Sequence, residues 1–271
     1  MRWAFSLSGR EPFRSGPNAR SRMPNALPLL AMCLLAGCKT GVMPDPNDPN
    51  GPEVIDPTVL RDNVQSAAEH IFARVNQREI TDAEGKEILR TYADNMVSGV
   101  KVNEVDPDTA WEYAEVMRAA ERWEDARALL EVAVKNAKAW DRRVNDGLRL
   151  AQVEAKLGNV KAGIATARKT FEAPPSDKVP ILPAVLFEIT PAALGKGQDV
   201  ELAKLLVDAA EQASLARVDS SSEAGKMFLM ARPTHQRRAI GQAVDLFQAA
   251  GDTAAAQDAS QKLLLMDSQQ G

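Results

Sequence analysis

The sequence predicts an all-α protein. Hydrophobic residues make up 45% of the chain but aromatics only 5%, and alanine and leucine crowd the region after residue 58 with few β-branched runs, a composition that favours helices packed through small side chains. Apolar residues there recur at the spacing of a helix face. A turn followed by a small residue then returns along the second half of the chain, as in stacked helix pairs. At 271 residues the chain is long enough for one elongated domain or two compact ones.

The first element, residues 1–37, reads as an export leader. Ala26 to Ala36 (ALPLLAMCLLA) is an apolar stretch preceded by Arg20 and Arg22, well short of the roughly 20 residues of a spanning helix. Leu35-Ala36-Gly37-Cys38 follows. This tetrad resembles the bacterial lipobox, which implies cleavage before Cys38, lipidation of its thiol and a cell-envelope location anchored in a membrane. By the same resemblance Lys39 is not the aspartate that retains lipoproteins in some inner membranes, so the outer membrane, facing the periplasm, is the expected destination.

Residues 38–57 form the second element, a tether. KTGVMPDPNDPNGPEVIDP carries five prolines, which remove backbone donors and favour extended geometry, so a semi-rigid spacer is expected. Its Asp and Asn alternation hints at a calcium loop, but Pro49 and Pro52 stand where oxygen ligands are needed.

A helical hairpin is expected over residues 58–100. Asp56 and Thr58 suit the start of a helix from Pro57 to Asn76 with Leu60, Val64, Ala67, Ala68, Ile71 and Val75 on one face. Thr81 and Glu84 have capping-box spacing for a second helix carrying Ile88, Leu89, Tyr92 and Met96.

Over residues 107–268 the small residues Ala126, Gly163, Ala203 and Ala256 each follow a turn. These units resemble tetratricopeptide repeats, and the resemblance implies an α-solenoid of antiparallel helix pairs, about 10–11 helices in all. Ala110, Tyr113, Ala114, Met117, Ala126, Leu130 and Ala133 occupy the signature positions of the first unit; Ile240, Ala243, Phe247, Gly251, Ala256 and Leu263 those of the last. The second keeps Gly147, Leu150, Ala151, Gly158 and Gly163 but has Glu154 at a usually apolar position. In the third Pro191 should kink the first helix, leaving Val200, Ala203, Val207 and Ala210 in register. Ser220-Ser221-Ser222 is expected to open an extra helix ending near residue 231, with Pro233 starting the next.

Charge and reactive side chains narrow the function. The chain has 33 basic and 37 acidic residues; without the five arginines and one acid of the leader, 28 and 36 remain, a net of −8. Such a domain lacks the footprint of a nucleic-acid binder and any polybasic reason to lie on anionic lipid. Cys33 and Cys38 are its only cysteines, so no disulfide or cysteine metal site is expected beyond residue 38. His70 reads as a rim residue. His235, beside Arg237 and Arg238, reads as a surface residue at a helix start. Glu124, Asp125, Asp106 and Asp108 fall at turns and helix starts, where caps favour them. No catalytic residue, cofactor or metal is expected.

In tetratricopeptide arrays the first helix of each pair lines a groove. Carried over, this points to Asp108, Trp111, Glu115 and Arg118, then Asn145, Leu148, Gln152 and Lys156, and last Arg238, Asp245 and Gln248. The set departs from the lysine and asparagine clamp for C-terminal carboxylates. Trp111, Glu115, Arg118, Gln152, Lys156, Arg238 and Asp245 are the expected partner-binding residues, with Trp111 either an exposed anchor or a core aromatic. Two function classes follow: an envelope scaffold binding protein or peptide, and an envelope hydrolase or binder of glycan or small molecules that uses carboxylates on a helical frame.

Overall fold

The computed structural model describes residues 56–268. Cys38 and the leader and tether around it lie outside the described residues. Helices account for nearly all regular structure, and the one β-type pairing among the described residues is an isolated bridge between Ser176 and Arg217.

Helix α1 (Pro57–Asn76) and helix α2 (Asp82–Val97) form the hairpin. Thr81 and Glu84 close the capping box in both directions. The buried side of α2 differs from the expectation: Ile88 and Tyr92 are exposed, and Gly85, Leu89, Ala93 and Val97 face inward at four-residue spacing. A β-carbon on Gly85 would meet the Val75 and Ile71 side chains at 2.9 and 3.0 Å. Close approach of α1 sets that face, and it admits small residues rather than Tyr92.

Four further pairs follow; the first, second and last are α3 (Ala110–Ala119) with α4 (Trp123–Asn136), α5 (Trp140–Lys156) with α6 (Val160–Lys169), and, at the C-terminal end, α10 (Glu223–Ala249) with α11 (Thr253–Ser268). Between the last two lies the third pair. Its first member is a continuous run in which α7 (Ile181–Ala184) passes through a π-turn (Val185–Ile189) into α8 (Thr190–Ala193), and its second is α9 (Asp199–Ser214). Each helix packs against the next along the chain except α6, which meets α9 rather than α7, and first helices also meet first helices, α1 on α3 and α5 on α8. This is an all-α, solenoid-like array.

Three of the four recurring turns share one physical basis. The second residue past α3, α5 and α10 is left-handed, and the amide of the residue after it bonds back into the helix: Arg122 N to Met117 O (2.9 Å), Asn159 N to Glu154 O (2.8 Å), Asp252 N to Phe247 O (2.9 Å). Glycine suits this conformation, and Gly158 (φ +87°) and Gly251 (φ +76°) supply it; in the first pair Glu121 (φ +57°) adopts it instead. The small residues after the turns are buried, Ala126 and Ala203 fully and Ala256 at 4% exposure. At Gly163 a β-carbon would stand 2.6 Å from the Ala151 carbonyl oxygen, so backbone contacts backbone where α5 and α6 cross.

Both prolines depart from a simple helix rule. Pro191 follows the π-turn, where the Thr190 hydroxyl donates to Val185 O at 2.7 Å; widening the turn absorbs the disruption expected there. Pro233 does not start a helix. It lies inside α10, which Ser222 caps by accepting from Gly225 N at 2.9 Å. The lost hydrogen bond and ring clash cost about 3 kcal/mol, and they are offset downstream, where Gln236, Ala239, Ile240, Ala243 and Phe247 are all buried. Upstream only Gly225 is buried, so the proline marks where α10 passes from an outlying half to a packed one.

Candidate functional site

The first helices of successive pairs carry most of the buried charge. Trp111, second residue of α3, is half-buried, with the Arg61 guanidinium of α1 4.6 Å and that of Arg142 of α5 3.7 Å from its ring centroid. The next residue, Glu112, is 6% exposed and accepts from the Thr58 hydroxyl (2.8 Å) and Arg61 Nη1 (3.2 Å), which joins the hairpin to the first repeat.

From there a chain of ion pairs runs onward. Arg142 Nη2 donates to both Asp146 carboxylate oxygens, at 2.7 and 2.9 Å. Arg149 Nη1 lies 3.5 Å from Asp146 and its Nε 2.7 Å from Glu115 Oε1. Arg118 then reaches three acceptors: Glu115 Oε1 (2.9 Å) on its own helix, Gln152 Oε1 on α5 (3.1 Å from Nε), and Glu188 Oε2 on the π-turn (2.9 Å). Helical spacing places each set on one face: Trp111, Glu115 and Arg118 on α3, and Arg142, Asp146, Arg149 and Gln152 on α5. The Arg118–Glu188 contact joins the first pair to the third, past the second. In a repeat array, where units usually touch only neighbours, this is a longer connection.

Burial and neighbouring charge pull the carboxyls in opposite directions. Burial pushes Glu115 up, but the guanidiniums of Arg149 and Arg118 outweigh it and leave the group below the usual glutamate range. At Asp146 burial wins over Arg142 and Arg149, and at Glu188 it wins over Arg118, so both are raised. Burial works against the charge of Arg118 too, yet Glu115 and Glu188 together raise its pKa. Arginines and carboxylates in this row largely neutralise one another.

Trp111, Glu115, Arg118 and Gln152 are thus brought together as expected. Trp111 is neither a free anchor nor a core aromatic; it lies half-buried against two arginines. Lys156 is apart from this row, exposed, with Nζ 5.4 Å from the Trp123 ring centroid. Arg238 lies 5.1 Å from the centroid of Phe187, which also meets the His235 ring edge-on at 5.1 Å. Asp245 is exposed two turns further along α10, and Leu148, at 4% exposure, belongs to the core rather than to any groove. His70 is exposed. His235 sits inside α10, not at its start, and burial, with Arg238 nearby, pushes its pKa down; a loss of helix-start donors follows from the continuity of α10 through Pro233.

Arg61, Glu112, Arg142, Asp146, Arg149 and Glu188 were not singled out from sequence. The i, i+4, i+7 spacing of Arg142, Asp146 and Arg149 was a visible signal for part of the row. Nothing local marked Arg61 or Glu188, whose partners are 51 and 70 residues away.

Among the described residues no group of three or more histidine, cysteine, aspartate or glutamate side chains is arranged to hold a metal ion, and no helix is long and apolar enough to cross a membrane. Comparison with protein-family models, with curated proteins and with solved structures gave no match.

Proposed function

We propose that the chain is a lipid-anchored lipoprotein of the cell envelope whose tetratricopeptide-like array binds a protein or peptide along its first-helix face. The observation that carries this reading is the row from Arg61 to Glu188, which gathers polar and aromatic side chains from α1, α3, α5 and the π-turn into one continuous strip. Its near-neutral balance suits a segment of mixed charge, whose acids and bases exchange with internal partners so that few charges are left buried and unpaired. The lipobox resemblance at Leu35-Ala36-Gly37-Cys38 supports the anchor.

Two experiments test the reading. Cys38→Ser should abolish incorporation of labelled fatty acid and partition into detergent; unchanged labelling sinks the anchor. For the binding face, partners captured from solubilised envelope by the wild-type chain should be lost with Trp111→Ala while helicity and melting cooperativity persist. Binding retained alongside a clear drop in stability would make the row a structural brace and move the binding site elsewhere.

A further inference from the structure

One end of the array is unusually apolar for a surface. Thr58 and Arg61, in the opening turns of α1, contact Glu112 and Trp111 at the start of α3, and Trp111 in turn lies under Arg142 at the start of α5. Trp140, the first residue of α5, shares a crevice with Ile181 at the start of α7, Ala216 just past α9, and Phe228 in the first half of α10. The starts of all five first helices therefore lie at one end, opposite the Gly158 and Gly251 turns.

Ten large hydrophobic side chains are exposed among the described residues, and five of them, Val59, Trp140, Leu215, Met227 and Met230, belong to this end. Leu215 and Met230 are 74% and 76% exposed. Leu215 caps the end of α9, and Met230 lies on α10 before Pro233, where that helix has not yet met its packed half. Exposed cations accompany them, Arg143 one turn past Trp140, Lys178, Arg217 two residues past Leu215, and Lys226 beside Met227, interspersed with the exposed acids Glu172, Asp219 and Glu223.

We infer that this end face docks on a phospholipid bilayer, with Trp140, Leu215, Met227 and Met230 entering the interface and the flanking cations meeting lipid phosphates; the inference rests on the proposed anchor at Cys38. The chain preceding the array joins it at Pro57, on this same end. Eighteen residues lie between Cys38 and Pro57, a reach of about 60 Å if extended, so an acyl anchor keeps the whole array within reach of the lipid and the apolar side chains select which end meets it. Tethering supplies a high effective concentration, which makes a modest patch sufficient. Tryptophan favours headgroup depth, and methionine adapts to irregular apolar surroundings. The net negative charge of the mature domain leaves apolar contact, rather than electrostatic attraction, as the main contribution.

The test uses the full chain reconstituted in phosphatidylethanolamine and phosphatidylglycerol vesicles carrying acyl-brominated lipid, with a bimane fluorophore on Met230→Cys or, at the turn end, on Lys161→Cys. Both sites are exposed, so neither change disturbs the core, and labelling of other cysteines is common to both. Quenching at 230 should exceed that at 161 at least threefold. Equal quenching overturns the inference, as does a label at 230 that is shielded from water without being quenched, which would reveal a protein on this face. Fatty-acid labelling separates this from the anchor: label at Cys38 with position 230 unquenched overturns the docking face alone, while quenching at 230 without acylation overturns the anchor alone.

Discussion

The α1–α2 hairpin and the block from α5 to α11 are built from the same secondary structure and held by different forces. The block buries one continuous cluster from Val144 to Ala259, in which Leu202, Leu205 and Leu206 are fully enclosed. In the hairpin α1 buries only Leu60, Val64 and Ala68, and Ile88 and Tyr92 of α2 face solvent. What fixes α1 to α3 includes a hydrogen bond and an ion pair on Glu112 and the arginine over Trp111. Apolar burial scales with area and is not screened by salt, whereas partly exposed polar contacts each contribute about 1 kcal/mol or less and weaken with it. The hairpin should therefore open at lower free energy than the block.

The largest effect expected from this contrast is Leu206→Ala, which removes a fully buried side chain and should cost about 2–5 kcal/mol in denaturant unfolding; Leu60→Ala should fall at or below the lower end of that range. Equal losses at the two sites would erase the contrast. Gly163→Leu and Ala126→Leu push a side chain into a helix crossing and should each cost about 1–3 kcal/mol, with Gly163 the costlier because the obstacle is the Ala151 backbone.

Glu112→Ala should cost about 1–2 kcal/mol and raise amide exchange across α1 while α9 stays protected; uniform exchange would mean that hairpin and block open as one unit. Glu121→Gly relieves a left-handed glutamate and should gain about 0.5–1 kcal/mol, seen as a higher melting temperature.

The smallest change is in the pH dependence. Glu188 and Asp146 have raised folded-state pKa values, so the unfolded chain releases these protons first and stability declines as pH rises from the ordinary carboxylate range through the folded values. Glu115 is lowered, and its contribution is lost as pH falls through its folded value. Glu188→Gln should flatten the first decline and leave the second, read from melting temperature against pH.

Much of the fold was legible because its signals are local. The capping box at Thr81 and Glu84, the turn glycines at 158 and 251, and the small residues at 126, 163, 203 and 256 act within one helix, one turn or one crossing, so their spacing carries their meaning. Of the candidate site, Trp111, Glu115, Arg118 and Gln152 were legible through helical spacing and the repeat resemblance. Lys156 and Asp245 follow the same spacing but lie outside the row, because position along a helix does not say which neighbour stands opposite.

By itself, then, the sequence determined an all-helical chain, the bounds of the first helix, the start of the second and the positions where pairs approach closely, since each depends on hydrogen bonds and steric fit a few residues apart. Tertiary structure alone decided that Pro233 sits inside a helix, because burial of Gln236 to Phe247 outweighs a local penalty. It alone decided that Arg61 meets Glu112 and that Arg118 meets Glu188 across 70 residues. Those pairings depend on how several helices are rotated and spaced against one another, a sum of many small packing terms that no single stretch of sequence contains.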